Sequence, residues 1–395
     1  MEAALTAFAD RAPIEVRYGC RWESTRREED GYVLVTGDGE YRCRVAIFAI
    51  GMTEPWRPAT SGIDVVPHYV DTRPPREYEG KRVFIVGKRN SGFEIAQSLL
   101  PWAGQLILAS PRPVQTSVLA LSPLRVRYLQ PYDEYVRGGS GTFILDAAVE
   151  SIQRQEGGYQ IVTHGTTWEG TLAFDVDDVI AATGFRTPLL DLPRLGVATV
   201  ADGRLPALTP FWESVSLRGV FFAGNATQAE RGLEKHGVSA SSTAVNGFRY
   251  NARVLADHVA ERWFGIAIPR PTVAADHIVP LLLQEASQAP ELWIQKGYLA
   301  RVLSIGEKEG VRDQGILPLT HFVDDGPDDG VALTIELDPR GTIHPVVYIR
   351  NRGAVAEHPL VPQPLHDYTG DEYGRELADR VGPLLPAVRS FSRTA

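Results

Sequence analysis

The stretch 81–96, KRVFIVGKRNSGFEIA, constrains this chain more than any other. Val83, Phe84, Ile85 and Val86 form a continuous apolar run that ends on Gly87. A short apolar run closed by glycine reads as a buried strand. Gly92 then opens a helix-like run, and a second apolar stretch, QLILAS (105–110), follows at the right distance. Residues 81–110 therefore read strand, helix, strand: a βαβ unit, with its two strands parallel.

Such a turn does one thing well. Its backbone N–H groups and the N-terminus of the helix converge on one point, where an anion is stabilised. Gly87, Lys88, Arg89, Asn90, Ser91 and Gly92 are the candidate residues for cradling a dinucleotide pyrophosphate. The usual pattern has a middle glycine, and Arg89 stands there instead. The second strand ends in Ser110-Pro111-Arg112 with no acid to accept a ribose 2′-hydroxyl. A serine and an arginine suit a 2′-phosphate, so NADP(H) is favoured over NAD(H). The plain alternative is an ordinary βα turn carrying surface arginines.

The remaining chain sets limits. With 395 residues it can form two or three domains. Its 44% hydrophobic and 23% charged residues are ordinary for a globular protein. A net charge of −9 argues against nucleic acid or an anionic membrane surface as the main partner. No run of eighteen apolar residues is present and the first residues do not resemble a signal peptide, so a cytoplasmic protein is expected. Cys20 and Cys43 are too few for a disulfide framework and are not CxxC. Cys43, at an inward-alternating strand position, reads as a buried inert thiol. No HxxxH spacing and no GxSxG elbow occurs, so no metal site and no hydrolase are expected. The acidic turn Asp324, Asp325, Asp328 and Asp329 reads as solvated.

Along the chain, 1–18 suggests a helix, 31–50 a hairpin turning at Gly37-Asp38-Gly39, and 141–184 a series of short strands. GVFFAGNATQ (219–228) is a buried strand ending in glycine. SSTAVNGFRYNARVLADHVAERWFG is a long helix with a Ser/Thr start, and helices are expected over 276–303 and 369–388. A hairpin turns at Asp338-Pro339-Arg340-Gly341. The order is α/β followed by an α+β tail.

Four stretches in sequence carry a resemblance. VAIFAIGMTEPWRP (45–58), closing on Gly51, is similar to the strand that ends in ATG in two-dinucleotide-binding flavoproteins, with Ile50 in place of the threonine. Residues 78–96 resemble their second, NADPH-binding fingerprint. DDVIAATGFRTP (177–188) resembles the return to the flavin domain. GVFFAGNATQ resembles the late strand whose Gly-Asp meets the ribityl chain, with Asn225 in place of the acid. Order and spacing resemble flavin-containing monooxygenases and thioredoxin-reductase-like flavoproteins over roughly 20–265.

The resemblance implies an α/β, Rossmann-like two-dinucleotide fold, N-terminally incomplete, plus a C-terminal α+β domain. It divides the chain into 1–75 with 187–267 (FAD-type, discontinuous), 76–186 (NAD(P)H-binding) and 268–395 (role unassigned). Members of that family begin with a first FAD-binding unit, and nothing before residue 45 carries its glycine fingerprint. A partner chain supplying that unit, or self-association, is therefore expected. NADP(H) and FAD are the implied cofactors. Thr183 and Gly184 would pass close to the nicotinamide or flavin, and Gly224 and Asn225 would meet the ribityl chain. Thr243, near a helix start at 241–245, would aim that start at the flavin. His236 is a candidate proton relay beside the flavin, or a loop histidine with no role. No metal is implied.

Three functions follow from these features. The first is an NADPH-dependent flavoprotein oxidoreductase, monooxygenase-like, acting on a small-molecule substrate. The second is a flavin-dependent reductase of low-molecular-weight disulfides, since 68–96 resembles members of that kind lacking CxxC. The third is a non-catalytic NADP(H)-binding module or a subunit completed by another chain.

Overall fold

The computed structural model describes residues 2–112, 141–237, 241–306 and 308–385. The chain divides into two compact units: Met1–Gly51 with Pro188–Asp338 and Thr342–Ala395, and Met52–Thr187 with Pro339–Gly341.

The second unit is built on one sheet of six strands, ordered 171–176, 158–165, 142–155, 105–110, 82–86, 178–181. Strand Arg82–Val86 pairs in parallel with both Gln105–Ser110 and Asp178–Ala181. Gln105–Ser110 is also parallel to the start of Thr142–Gln155. That long strand continues into an antiparallel meander with Gly158–Gly165 and Thr171–Val176. The parallel strands have no polar face because both faces are covered. Val83 and Ile85 lie with Phe93, Ala96 and Leu99 of helix Asn90–Leu99, whereas Phe84 and Val86 lie with Ile107, Ile161 and Val179. The expected βαβ unit is present. Residues 52–75, grouped by sequence with the flavin-type pieces, belong to this unit because Ile63 and Val66 are buried in the same core as Phe84.

The first unit contains the antiparallel meander Trp22–Glu28, Gly31–Thr36, Gly39–Cys43. It also contains a parallel pair, Ala46–Phe48 with Val220–Phe222. The N-terminal helix spans Glu2–Ala9, shorter than the stretch 1–18. The long helix runs Val245–Phe264. A second six-stranded sheet, antiparallel throughout, is ordered 272–273, 310–318, 299–306, 330–337, 343–351, 354–359.

The C-terminal residues bury one cluster of their own, with Ala300, Val302, Phe322, Ala332 and Tyr348, and share another with the long helix. Tyr250, Val254 and Val259 of the long helix are buried in one cluster with Leu282, Leu299, Leu333 and Leu377. The helix expected over 276–303 stops at Gln288, with a short helix Pro290–Ile294 after it, and Leu299–Gly306 is a strand. Gly297, at φ 64°, turns the chain between them. Leu299, Ala300, Val302 and Leu303 are all buried, so this strand shows no alternation that sequence could separate from a buried helix. The last helix is Asp371–Val381, and residues 386–388 of the expected span lie outside the described residues. The Asp338–Gly341 hairpin forms as expected between Gly330–Leu337 and Ile343–Asn351.

Candidate functional site

In the second unit, strand Arg82–Val86 delivers the chain to Gly87 at φ 121°, where a Cβ would stand 2.3 Å from the Ala182 carbonyl oxygen. Gly92 is as confined: its Cβ would meet the Gly87 carbonyl oxygen at 2.2 Å. The first helical turn therefore rests directly on the loop. Arg89 is extended and precedes the helix, and its carbonyl accepts the first intrahelical bond, from Phe93 N at 2.9 Å. Asn90, Ser91 and Gly92 carry the N–H groups that a helix start leaves without intrahelical acceptors. Arg89 and Asn90 are exposed and Ser91 is half-buried, so this edge of the loop faces outward. It is the geometry that stabilises an anion.

Lys88 behaves differently from its neighbours. Only 2% of it is exposed. Its ammonium donates to the Leu145 carbonyl at 2.9 Å and forms an ion pair with Asp146. It joins the loop through its backbone while its charge turns inward. Ser110 closes the second strand half-buried, opposite Asp146 in the parallel register, and Arg112 is exposed just beyond it.

Thr183 and Gly184 are tied down inside this unit. Thr183 Oγ1 donates to the Trp56 carbonyl at 2.5 Å, and Trp56 N donates to the Gly184 carbonyl at 2.9 Å. The same carbonyl is met by Nε2 of His68 at 3.1 Å, while Val70 N approaches the other ring nitrogen at 3.5 Å. These partners assign the proton to Nε2. His68 is fully buried, and burial lowers its pKa against the opposing pull of the Gly184 carbonyl. It is a neutral clamp, and its role was invisible in sequence because Gly184 lies far along the chain.

In the first unit, the parallel pair ends at the short 3₁₀ turn Gly224–Ala229. Gly224 has φ 65° and open space where a Cβ would project. The side-chain oxygen of Asn225 is buried and has no hydrogen-bond partner. Behind the turn lies a buried polar network. Thr227 Oγ1 donates to the Gly224 carbonyl at 2.7 Å and accepts from Asn251 Nδ2 at 3.2 Å. Asn251 also donates to Ser242 Oγ at 2.9 Å, and Gln295 Nε2 donates to Asn251 Oδ1 at 2.7 Å. Trp212 Nε1 donates to the Tyr298 hydroxyl at 2.7 Å. Burial raises the pKa of Glu230, whose Oε2 is buried without a partner. Sequence reasoning missed this network, whose members are spread over 212–298.

The other expected residues are spread. Gly51 is half-buried, three residues beyond strand Ala46–Phe48. Thr243 is exposed and does not cap the long helix, which begins at Val245 after an extended Ala244 with no side-chain cap. His236 is exposed at φ 56°. Cys20 and Cys43 are free thiols, and Cys43 is half-buried, with its pKa raised by burial. No cluster of three metal-ligating side chains exists among the described residues. No helix among them is long and apolar enough to cross a membrane.

The residues fit a nicotinamide dinucleotide, since the loop 87–92 has glycine-only clearance beneath a free helix start. For a flavin they fit one end: the orphaned Asn225 oxygen beside the open Gly224. The described residues contain no second glycine loop of the kind that holds a flavin pyrophosphate.

This glycine loop on the parallel strands of a mixed sheet, lying in sequence between the halves of a second parallel pair, is the arrangement of the dinucleotide-binding α/β class. The sequence profile of the pyridine nucleotide-disulphide oxidoreductase family matches residues 3–224, and the chain belongs to that family. It is 25% identical over 352 residues to the FAD-dependent oxidoreductase domain-containing protein 2 of Danio rerio, covering 76% of this chain and 50% of that protein. It is 29% identical over 230 residues to a ferredoxin–NADP reductase of Thermus thermophilus, covering 54% of this chain and 63% of that one. The chain thus spans about half to two thirds of the length of these relatives. Among solved structures, the bacillithiol disulfide reductase of Bacillus cereus is 18% identical, with a TM-score of 0.49 over 66% of this chain and 76% of that chain.

Proposed function

We propose that the chain acts in an NADPH-dependent flavoprotein oxidoreductase of the monooxygenase-like kind, moving a hydride from NADPH to FAD and on to oxygen or a small substrate. The observation that carries this reading is the contact of Gly92 on Gly87, which holds a helix start over an outward-facing loop. The N–H groups of Asn90, Ser91 and Gly92 bind the pyrophosphate, and Arg89 adds positive charge at the rim. Ser110 and Arg112 take the 2′-phosphate. When bound, FAD supplies the step from two-electron to one-electron or oxygen chemistry. On this chain, Gly224 and Asn225 would hold its ribityl end, and the Asn225 oxygen would accept a hydrogen bond from a hydroxyl there.

A second reading is that this chain is a subunit completed by a partner chain or a second copy. The parallel pair Ala46–Phe48 with Val220–Phe222 has two strands among the described residues, and Ile47 is 48% exposed. An apolar residue on an open strand favours further pairing.

The visible absorption spectrum of the purified chain, before and after FAD and then NADPH, separates the two. A flavin band that bleaches with NADPH supports the first reading. Retained NADPH binding without flavin supports the second. Loss of both would overturn the nucleotide assignment itself.

A further inference from the structure

We propose that the Lys88–Asp146 ion pair sets the preference between the two nicotinamide dinucleotides, by cancelling a carboxylate that strand Thr142–Gln155 presents beside the adenosine ribose. The inference rests on reading 81–112 as the nucleotide-binding unit.

In such a unit the ribose sits over the carboxyl end of the second strand, and an acid there accepts the 2′-hydroxyl while repelling a 2′-phosphate. Strand Gln105–Ser110 brings no acid to that end. The neighbouring strand does. Asp146 is the direct register partner of Ser110, so its carboxylate stands one strand away from the end of Gln105–Ser110. Its side chain keeps 27% of its surface, and its second oxygen accepts from Thr167 Oγ1 at 3.3 Å. Left alone, this carboxylate would act as the missing acid.

Lys88 removes that charge. Its side chain is 1% exposed and leaves the phosphate loop to reach Asp146 and the Leu145 carbonyl. A buried cation is held this way only where a carboxylate compensates its lost hydration. The pair is neutral, and little screened by salt because the lysine is buried. Asp146 then adds no net negative charge to the end of the second strand, and the exposed Arg112 decides in favour of a 2′-phosphate.

The test is direct binding of NADPH and of NADH to the purified chain, by calorimetry at fixed salt and pH 8, for the wild type, Lys88→Met, Asp146→Asn and the double variant. Lys88→Met is expected to weaken NADPH about tenfold more than NADH, the size of one unscreened charge at several ångströms. The double variant is expected to restore the wild-type ratio. Asp146→Asn, which leaves the lysine cation uncompensated, is expected to move the ratio toward NADPH and serves if Lys88→Met does not fold. Equal changes for both dinucleotides, or a ratio that the double variant leaves shifted, would overturn the inference while leaving the loop assignment standing. A wild type that binds neither dinucleotide would overturn the loop assignment and this inference with it.

Discussion

A Cβ on Gly92 would stand 2.2 Å from the carbonyl oxygen of Gly87, so helix and loop touch backbone to backbone. Gly92→Ala ordinarily favours a helix by about 1 kcal/mol. Here it must push the helix off the loop and displace the N–H groups of residues 90–92. Dinucleotide affinity is expected to fall about tenfold or more, measured as Kd for NADPH, without a matching gain in Tm. Unchanged affinity would separate the loop from nucleotide binding.

Arg112 is exposed beyond the second strand and is assigned to the 2′-phosphate. A hydrogen bond to a charged group is worth about 1.5–3 kcal/mol. Arg112→Ala is expected to weaken NADPH by about tenfold or more and to leave NADH nearly unchanged in the same binding assay. Equal loss for both would sink the assignment.

The indole of Trp212 is fully buried and donates to the Tyr298 hydroxyl at 2.7 Å. Tyr298→Phe keeps the ring and strands the indole N–H. A buried donor without its acceptor costs about 1–3 kcal/mol. Thermal unfolding should shift down by a few degrees, and an unchanged Tm would mean that the indole finds another acceptor.

Burial pushes the His258 pKa down to about 4, with Arg262 and His321 adding repulsion and Glu261 opposing it. Its ring stacks on Phe211 at 4.0 Å. In the unfolded chain a histidine titrates near pH 6.5, on the order of its free value. The folded pKa is depressed, so below that pH the unfolded chain binds the proton first. Stability from this site is present above the unfolded pKa and is lost as pH falls toward about 4. His258→Phe keeps a ring and removes the titration. Its Tm should fall less steeply than the wild type's across this window, and an identical slope would exclude His258 as a contributor.

The strand Arg82–Val86, its two glycines and the following helix were readable from residues alone. The apolar run, the glycine at its end and the helical spacing after it are local, and local sterics leave few conformations. The 330–351 hairpin was readable for the same reason, through its Asp338–Gly341 turn. The strand Leu299–Gly306 was not, because it is buried on both faces and its apolar run also suits a helix. The start of the long helix was misjudged from Ser241, Ser242 and Thr243, since Ser242 is spent inside the protein on Asn251 and Gln295.

What the sequence by itself determined is the strand–glycine–helix unit and the order of the flavoprotein-like stretches, because each is written in neighbouring residues. Only the tertiary structure decided what the polar side chains do. Lys88 meets Asp146 across 58 positions, His68 meets Gly184 across 116, and Trp212 meets Tyr298 across 86. Each pairing depends on strand register and shared burial, and a charge or a donor taken out of water must find its partner wherever the fold brings one.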